Sequence, residues 1–140
     1  MLAHVGFSVA VYEDRAEFGN AERFPDAVRI IRAPFEEAGT RISITPDDAI
    51  VIMTRGHQGD FVVLEQMLRT QAGYIGVIGS RHKIAATNRR LIEAGIPETA
   101  LGRIHTPIGL DIGAETPAEI AISIAAELIA HRAQSLKEAL

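Results

Sequence analysis

Apolar residues along this chain come in two kinds of block, and the two kinds alternate. Short apolar-rich blocks lie at residues 7–12 (FSVAVY), 28–31 (VRII), 49–54 (AIVIMT) and 74–78 (YIGVI). The continuous ones suit strands covered on both faces, as in a parallel sheet. Residues 41–44 read as a further strand or only an extended connection, and residues 103–105 as a short last strand. Helical spacing fills the intervals. Residues 60–71 place Phe61, Leu64, Met67 and Leu68 on one side, with Asp60 as the N-cap and Gly73 as the stop. Residues 81–94 form a second helix, ended by Gly95 with Pro97 just beyond. The last helix has the clearest start: Thr116 as N-cap, Pro117 at the first position and Glu119 at the third. It continues to about residue 133, with Ile120, Ile124 and Leu128 repeating every fourth position. Residues 16–25 are polar and aperiodic and read as a loop, and residues 134–140 as a fraying tail.

Strands alternating with helices predict an α/β fold: a Rossmann-like open parallel sheet with helices on both faces. The 140 residues suit a single domain. A dinucleotide-binding Rossmann domain opens with a strand, a glycine-rich turn and a helix. No G-x-G-x-x-G occurs here, and residues 1–6 read as the end of such a first helix. The fold is therefore expected to lack its first βα unit, and the sequence reads as a fragment of a longer or split protein.

Composition narrows the function. A hydrophobic fraction of 47% supports a core, while a net charge of −4 disfavours nucleic-acid and membrane-surface binding. Five Phe, two Tyr and no Trp leave little for a base-stacking platform. The absence of cysteine excludes disulfides, thiolate metal sites and a cysteine nucleophile within this sequence. No signal peptide or bilayer-length apolar run is visible, so a cytoplasmic location is the default.

In open α/β sheets, ligands bind beyond the carboxyl ends of the strands. Four loops at such ends have unusual composition. Glu13 and Asp14 can bond a ribose hydroxyl pair, or form a solvated turn. Thr54, Arg55, Gly56 and His57 join a buried strand to a helix; Thr54 and Arg55 can meet an anion and His57 can donate or shuttle a proton. Gly79, Ser80, Arg81 and Lys83 open a helix, where free amides and the macrodipole attract anions. Arg81 and Lys83 oppose that dipole unless an anion lies among them. Finally, residues 107–116 (PIGLDIGAET) combine apolar residues with Gly113, Asp111 and Glu115. That loop is expected to fold over a pocket or sit in an interface, its acids meeting a ligand or only favouring the next helix. No H-E-x-x-H or G-x-S-x-G occurs, so no metal site or serine hydrolase is expected.

The segments VYEDR, RFPDA, IVIMTRGHQGDFVVLEQML, YIGVIGSRHK and RIHTPIGLDIGAETPAEIAISIAAELIAHR follow in an order similar to that of the xanthine dehydrogenase accessory (XdhC/CoxI) family. The resemblance covers nearly everything after Gly6. It implies the Rossmann-like C-terminal domain of a non-enzymatic protein that carries molybdenum cofactor. Such proteins protect the cofactor, molybdopterin with its metal, while a cysteine desulfurase partner supplies a sulfido ligand. They then support insertion into xanthine dehydrogenase or a related molybdenum hydroxylase. The resemblance assigns the cofactor phosphate to the Gly79–Lys83 loop and the pterin or oxo groups to residues 54–57. Family members usually carry a further N-terminal domain with a cysteine motif, which this sequence lacks. An NAD(P)- or nucleotide-binding oxidoreductase or sensor is the alternative, and a pure interaction module docking through residues 107–113 is a third. A homodimer is expected from the unpaired edge that a sheet without its first unit would expose.

Overall fold

The computed structural model describes residues 1–140, which divide into two compact units, Met1–Ser43 and Ile44–Leu140. In the first unit, β1 (Ala10–Glu13) pairs in parallel with β2 (Arg29–Arg32), Ala10 opposite Arg29 and Glu13 opposite Arg32. β1 begins three residues later than the apolar block at residue 7, and the connection to β2 is a loop without a helix. Arg15 and Arg23 sit on the Phe18 ring, 4.0 and 4.8 Å from its centre, which gives that polar loop a small core. Before β1, Phe7 N–H donates to Leu2 and Gly6 N–H to Ala3, with Gly6 at φ 95°. Those bonds and that glycine make the Schellman ending of a helical turn. After β2, a 3₁₀ turn (Phe35–Glu37) runs into α1 (Ala38–Arg41). The candidate strand at residues 41–44 is thus the end of α1 followed by an extended connection.

The second unit is a parallel sheet in the order β3 (Ala49–Ile52), β4 (Tyr74–Val77), β5 (Ile104–His105). Ile50 lies opposite Ile75, and Ile75 opposite Ile104. β4 is central and wholly buried, as its unbroken apolar run requires. Its side chains alternate between faces. Ile75 and Val77 share one face, while Tyr74 and Gly76 lie on the other, where Tyr74 meets α4 (Pro117–Ala139) through Glu127. Helices α2 (His57–Met67) and α3 (Arg81–Glu93) pack on each other beside the cleft that Val77 lines. The expected α/β sheet with helices on both faces is observed.

Two local readings are corrected. Asp60 does not cap α2: Gly56 does, at φ 130°, and Asp60 stands within the first turn. Gly73 does not end the helix, which finishes at Met67. It lies where a Cβ would collide with the Pro46 carbonyl, so its lack of a side chain lets β4 approach that backbone. The tail is helical rather than frayed, because α4 runs to Ala139. Its start follows the pattern read from the sequence. Thr116 accepts from Glu119 N–H while the Glu119 carboxylate accepts from Thr116 N–H, completing a capping box.

Candidate functional site

Because β3, β4 and β5 are parallel, their carboxyl ends share one edge of the sheet, and a cleft of about 120 Å³ opens there. Each strand contributes the residues that follow it. Thr54 and Gly56 come from the β3–α2 turn, His57 and Asp60 from the first turn of α2, Gly79 and Ser80 follow β4, and Thr106 follows β5. Lys83, Ile84 and Thr87 of α3 close one wall.

Two helix N-termini open into this space. Gly56 offers α2 no side-chain cap, so its first amides keep their donors. Ser80 caps α3 by accepting from Lys83 N–H at 3.3 Å, which leaves the amides of Arg81 and His82 free of that cap. Gly79 sits at φ 140°, a conformation that side chains rarely adopt, and a Cβ there would meet nothing within 4 Å. The space above that turn is therefore open. Polar contacts fix the opposite wall. The Thr54 hydroxyl donates to the Asp60 carboxylate at 2.6 Å, and Gly59 sits against Thr54 so closely that a Cβ would come within 2.6 Å of Oγ1. Thr106 adds a hydroxyl oxygen that is buried and has no hydrogen-bond partner. An orphan of this kind needs an explanation, since buried polar atoms are normally paired. The start of α3, Ser80, Lys83 and Thr106 thus border the same cleft as the Thr54–Asp60 pair.

Of the residues singled out in the sequence, Thr54, Gly56, His57, Gly79, Ser80 and Lys83 line this cleft together. Arg55 and Arg81 flank it in sequence but are exposed and do not line it. Asp111, Gly113 and Glu115 lie elsewhere, exposed on the loop before α4, and residues 107–113 do not cover the cleft. Leu110 and Ile112 instead face solvent. Glu13 and Asp14 belong to the first unit, where Glu13 accepts from Arg15 Nε at 3.1 Å. Thr87 and Thr106 were not singled out. Position alone could have found Thr106, which directly follows the last strand.

A second polar cluster occupies the face covered by α4. Glu127 accepts from the Tyr74 hydroxyl at 2.8 Å and from Gly109 N–H, and its other oxygen lies 3.7 Å from His105 Nδ1. The Tyr74 ring stacks on His105 with centres 4.4 Å apart, and His131 meets it edge-on. Burial, together with the Glu127 acceptor, raises the Tyr74 hydroxyl far above its ordinary pKa. No three His, Asp or Glu side chains are grouped as a metal ion would require.

A family model described as the XdhC Rossmann domain matches residues 1–128. The chain belongs to that family. The XdhC domain is 36% identical over 128 residues to the uncharacterized protein YqeB of Escherichia coli, covering 91% of this chain and 23% of that protein. It is 33% identical over 132 residues to a probable xanthine dehydrogenase subunit of Bacillus subtilis, covering 94% of this chain and 38% of the relative. A solved structure titled as a xanthine dehydrogenase from Bacillus halodurans superposes with a TM-score of 0.76 at 35% identity, covering 92% of this chain and 36% of that one. The XdhC domain thus spans well under half of each of these relatives. No helix is long and apolar enough to cross a membrane.

Proposed function

We propose that this XdhC domain holds the phosphate-bearing end of molybdenum cofactor at the carboxyl edge of β3–β5, as a carrier rather than a catalyst. The single observation that carries the reading is the cradle itself: two helix N-termini, Lys83 and the unpaired Thr106 hydroxyl around one small cleft. A cation at the start of α3 opposes the helix dipole, and an anion between them turns that opposition into attraction. Metal, pterin and sulfido chemistry belong to the cargo, while the protein residues bind and orient its acidic arm. In this reading the loaded protein meets a cysteine desulfurase, passes the cofactor to xanthine dehydrogenase or a related molybdenum hydroxylase, and works as a homodimer. Two of the relatives carry the name xanthine dehydrogenase, which supports an association with that enzyme.

The test is titration of the whole chain with molybdopterin, followed by fluorescence or calorimetry, with inorganic phosphate as competitor. Lys83→Ala is expected to weaken binding about tenfold or more, the loss of one charge-assisted contact of about 1.5–3 kcal/mol. The salt dependence of binding should flatten with it. Thr106→Val should weaken binding several-fold while leaving thermal stability unchanged or higher. Affinity unaltered by both variants, and by phosphate, would remove the cradle. Co-purification of NAD(P) instead of a pterin would favour the nucleotide reading.

A further inference from the structure

Helix α4 is apolar on two faces, and only one is used within the chain. Ser123, Ile124, Ala125 and Leu128 are buried. Around the other side run Ala118, Ile122, Ala126, Ile129, Ala133, Leu136 and Leu140, in steps of four, four, three, four, three and four residues. That is the spacing of a helix–helix seam. Its large members are open: Ile122, Ile129 and Leu136 are 48%, 39% and 63% exposed. A row of this length is not the scatter of single apolar residues that any surface carries.

We propose that this stripe is a dimer interface, with α4 of one copy antiparallel to α4 of a second copy about a two-fold axis at Ile129. The homodimer belongs to the proposed function, but its location rests on this stripe and not on the cofactor reading. Three features select a second copy of the same chain. The stripe is nearly palindromic about Ile129, with members eleven, seven and three residues before it and four, seven and eleven after it. A two-fold interface must be self-complementary, and this spacing meets itself when the helix is reversed. Residue sizes also match. Reversal sets Ala118 against Leu140 of the other copy, Ile122 against Leu136, and Ala126 beside Ala133, so the central Ile129 pair is flanked by alanines that permit close approach. Charge follows the same symmetry. Glu119 and Lys137 are eighteen residues apart, five helical turns, and so share one edge of the stripe. In an antiparallel pair like edges face each other, which brings each Glu119 towards the Lys137 of the other copy, twice. The twenty-three residues of α4 span about 34 Å. One helix stripe buries less than the roughly 800 Å² per partner of a standard interface, so the dimer should dissociate in the micromolar range.

The chain has no cysteine, so single replacements report cleanly. Ile129→Cys should give an oxidised covalent dimer. Ala118→Cys alone should not, because reversed copies hold those positions about 33 Å apart. A mixture of Ala118→Cys and Leu140→Cys chains should cross-link. Ile129→Glu should leave helix content unchanged by circular dichroism while sedimentation shows monomer throughout. Any one of three results overturns the proposal: a monomeric parent chain at about 0.5 mM, far above the expected dissociation constant; self-cross-linking of Ala118→Cys as ready as that of Ile129→Cys; or a dimer that survives Ile129→Glu. Cofactor affinity is measured on the same variants. If it fails for all chains while the cross-links form, the carrier reading falls and the interface stands.

Discussion

Removing Glu127 should expose how far one partly buried carboxylate holds the loop after β5. The side chain accepts from the Tyr74 hydroxyl at 2.8 Å and from Gly109 N–H, and lies 3.7 Å from His105. Tyr74 is 1% exposed, so Glu127→Ala strands its hydroxyl away from water at about 1–3 kcal/mol. The Gly109 amide loses a charge-assisted bond of about 1–2 kcal/mol. His105 is too exposed for its ion pair to add more than a few tenths of a kcal/mol. The total is about 3–4 kcal/mol, or about 10 °C in Tm for a chain of this size. Tyr74→Phe removes the group that needs the acceptor and should cost only about 1–2 kcal/mol. In the double variant no hydroxyl remains to be stranded. Its loss should fall short of the summed single losses by about 1–2 kcal/mol, the range of coupling seen between contacting groups. Urea unfolding of all four proteins, with constant m-values, measures the cycle. Strict additivity, or a loss below about 1 kcal/mol for Glu127→Ala, would refute the idea that this carboxylate organises the site's flank.

The alkaline limb of stability should carry the same signature. The fold keeps Tyr74 protonated while the unfolded chain releases its proton near the ordinary value of 10.0. Its contribution is therefore complete below pH 10 and is lost as pH rises beyond it, by up to about 1.4 kcal/mol per pH unit. Tyr74→Phe should flatten that slope by one proton, and equal slopes in the two proteins would contradict it. Tyr12, also raised by burial, contributes equally to both. Arg103 donates to the carbonyls of Leu68, Thr70 and Ala72 at 3.0, 3.1 and 3.0 Å, tying the end of α2 to the start of β5. Arg103→Met should cost about 2–3 kcal/mol in urea unfolding, with Arg103→Lys recovering part, since ammonium lacks the planar fork. A change under about 0.5 kcal/mol, the size of an ordinary surface substitution, would show that water replaces it.

The elements that reading the chain located best are those whose signal is local. The buried apolar runs of β3 and β4 admit few alternatives, and the start of α4 is a three-residue arrangement that closes its own hydrogen bonds. Errors arose where one residue has two local uses. Asp60 is a good cap by type, but Gly56 reaches a backbone angle that lets the helix begin at His57. The Asp60 carboxylate is then free to accept from Thr54 across the turn. Gly73 resembles a helix stop, yet its absent side chain serves the approach of Pro46, which no local pattern announces.

The cleft shows the same division. Thr54, Gly56, His57, Gly79, Ser80 and Lys83 were legible because parallel strands must bring their carboxyl-end loops to one edge. Thr106 was passed over although it directly follows β5; what sets its hydroxyl apart, burial without a partner, is a property of the assembled fold. The apolar loop before α4 was expected over a pocket or in an interface; it does not cover the cleft, and Leu110 and Ile112 are exposed in the single chain, as an interface would require. Leu110 N–H donates to the Ser123 carbonyl and the Ser123 hydroxyl to the Leu110 carbonyl, fixing this loop on α4. The exposed apolar residues of loop and helix thus share one scaffold, which gathers Leu110, Ile112, Ile122, Ile129 and Leu136 around α4. Association and ligand binding are accordingly separable: substitutions at Ile129 should leave the anion cleft intact, and substitutions at Lys83 should leave self-association intact.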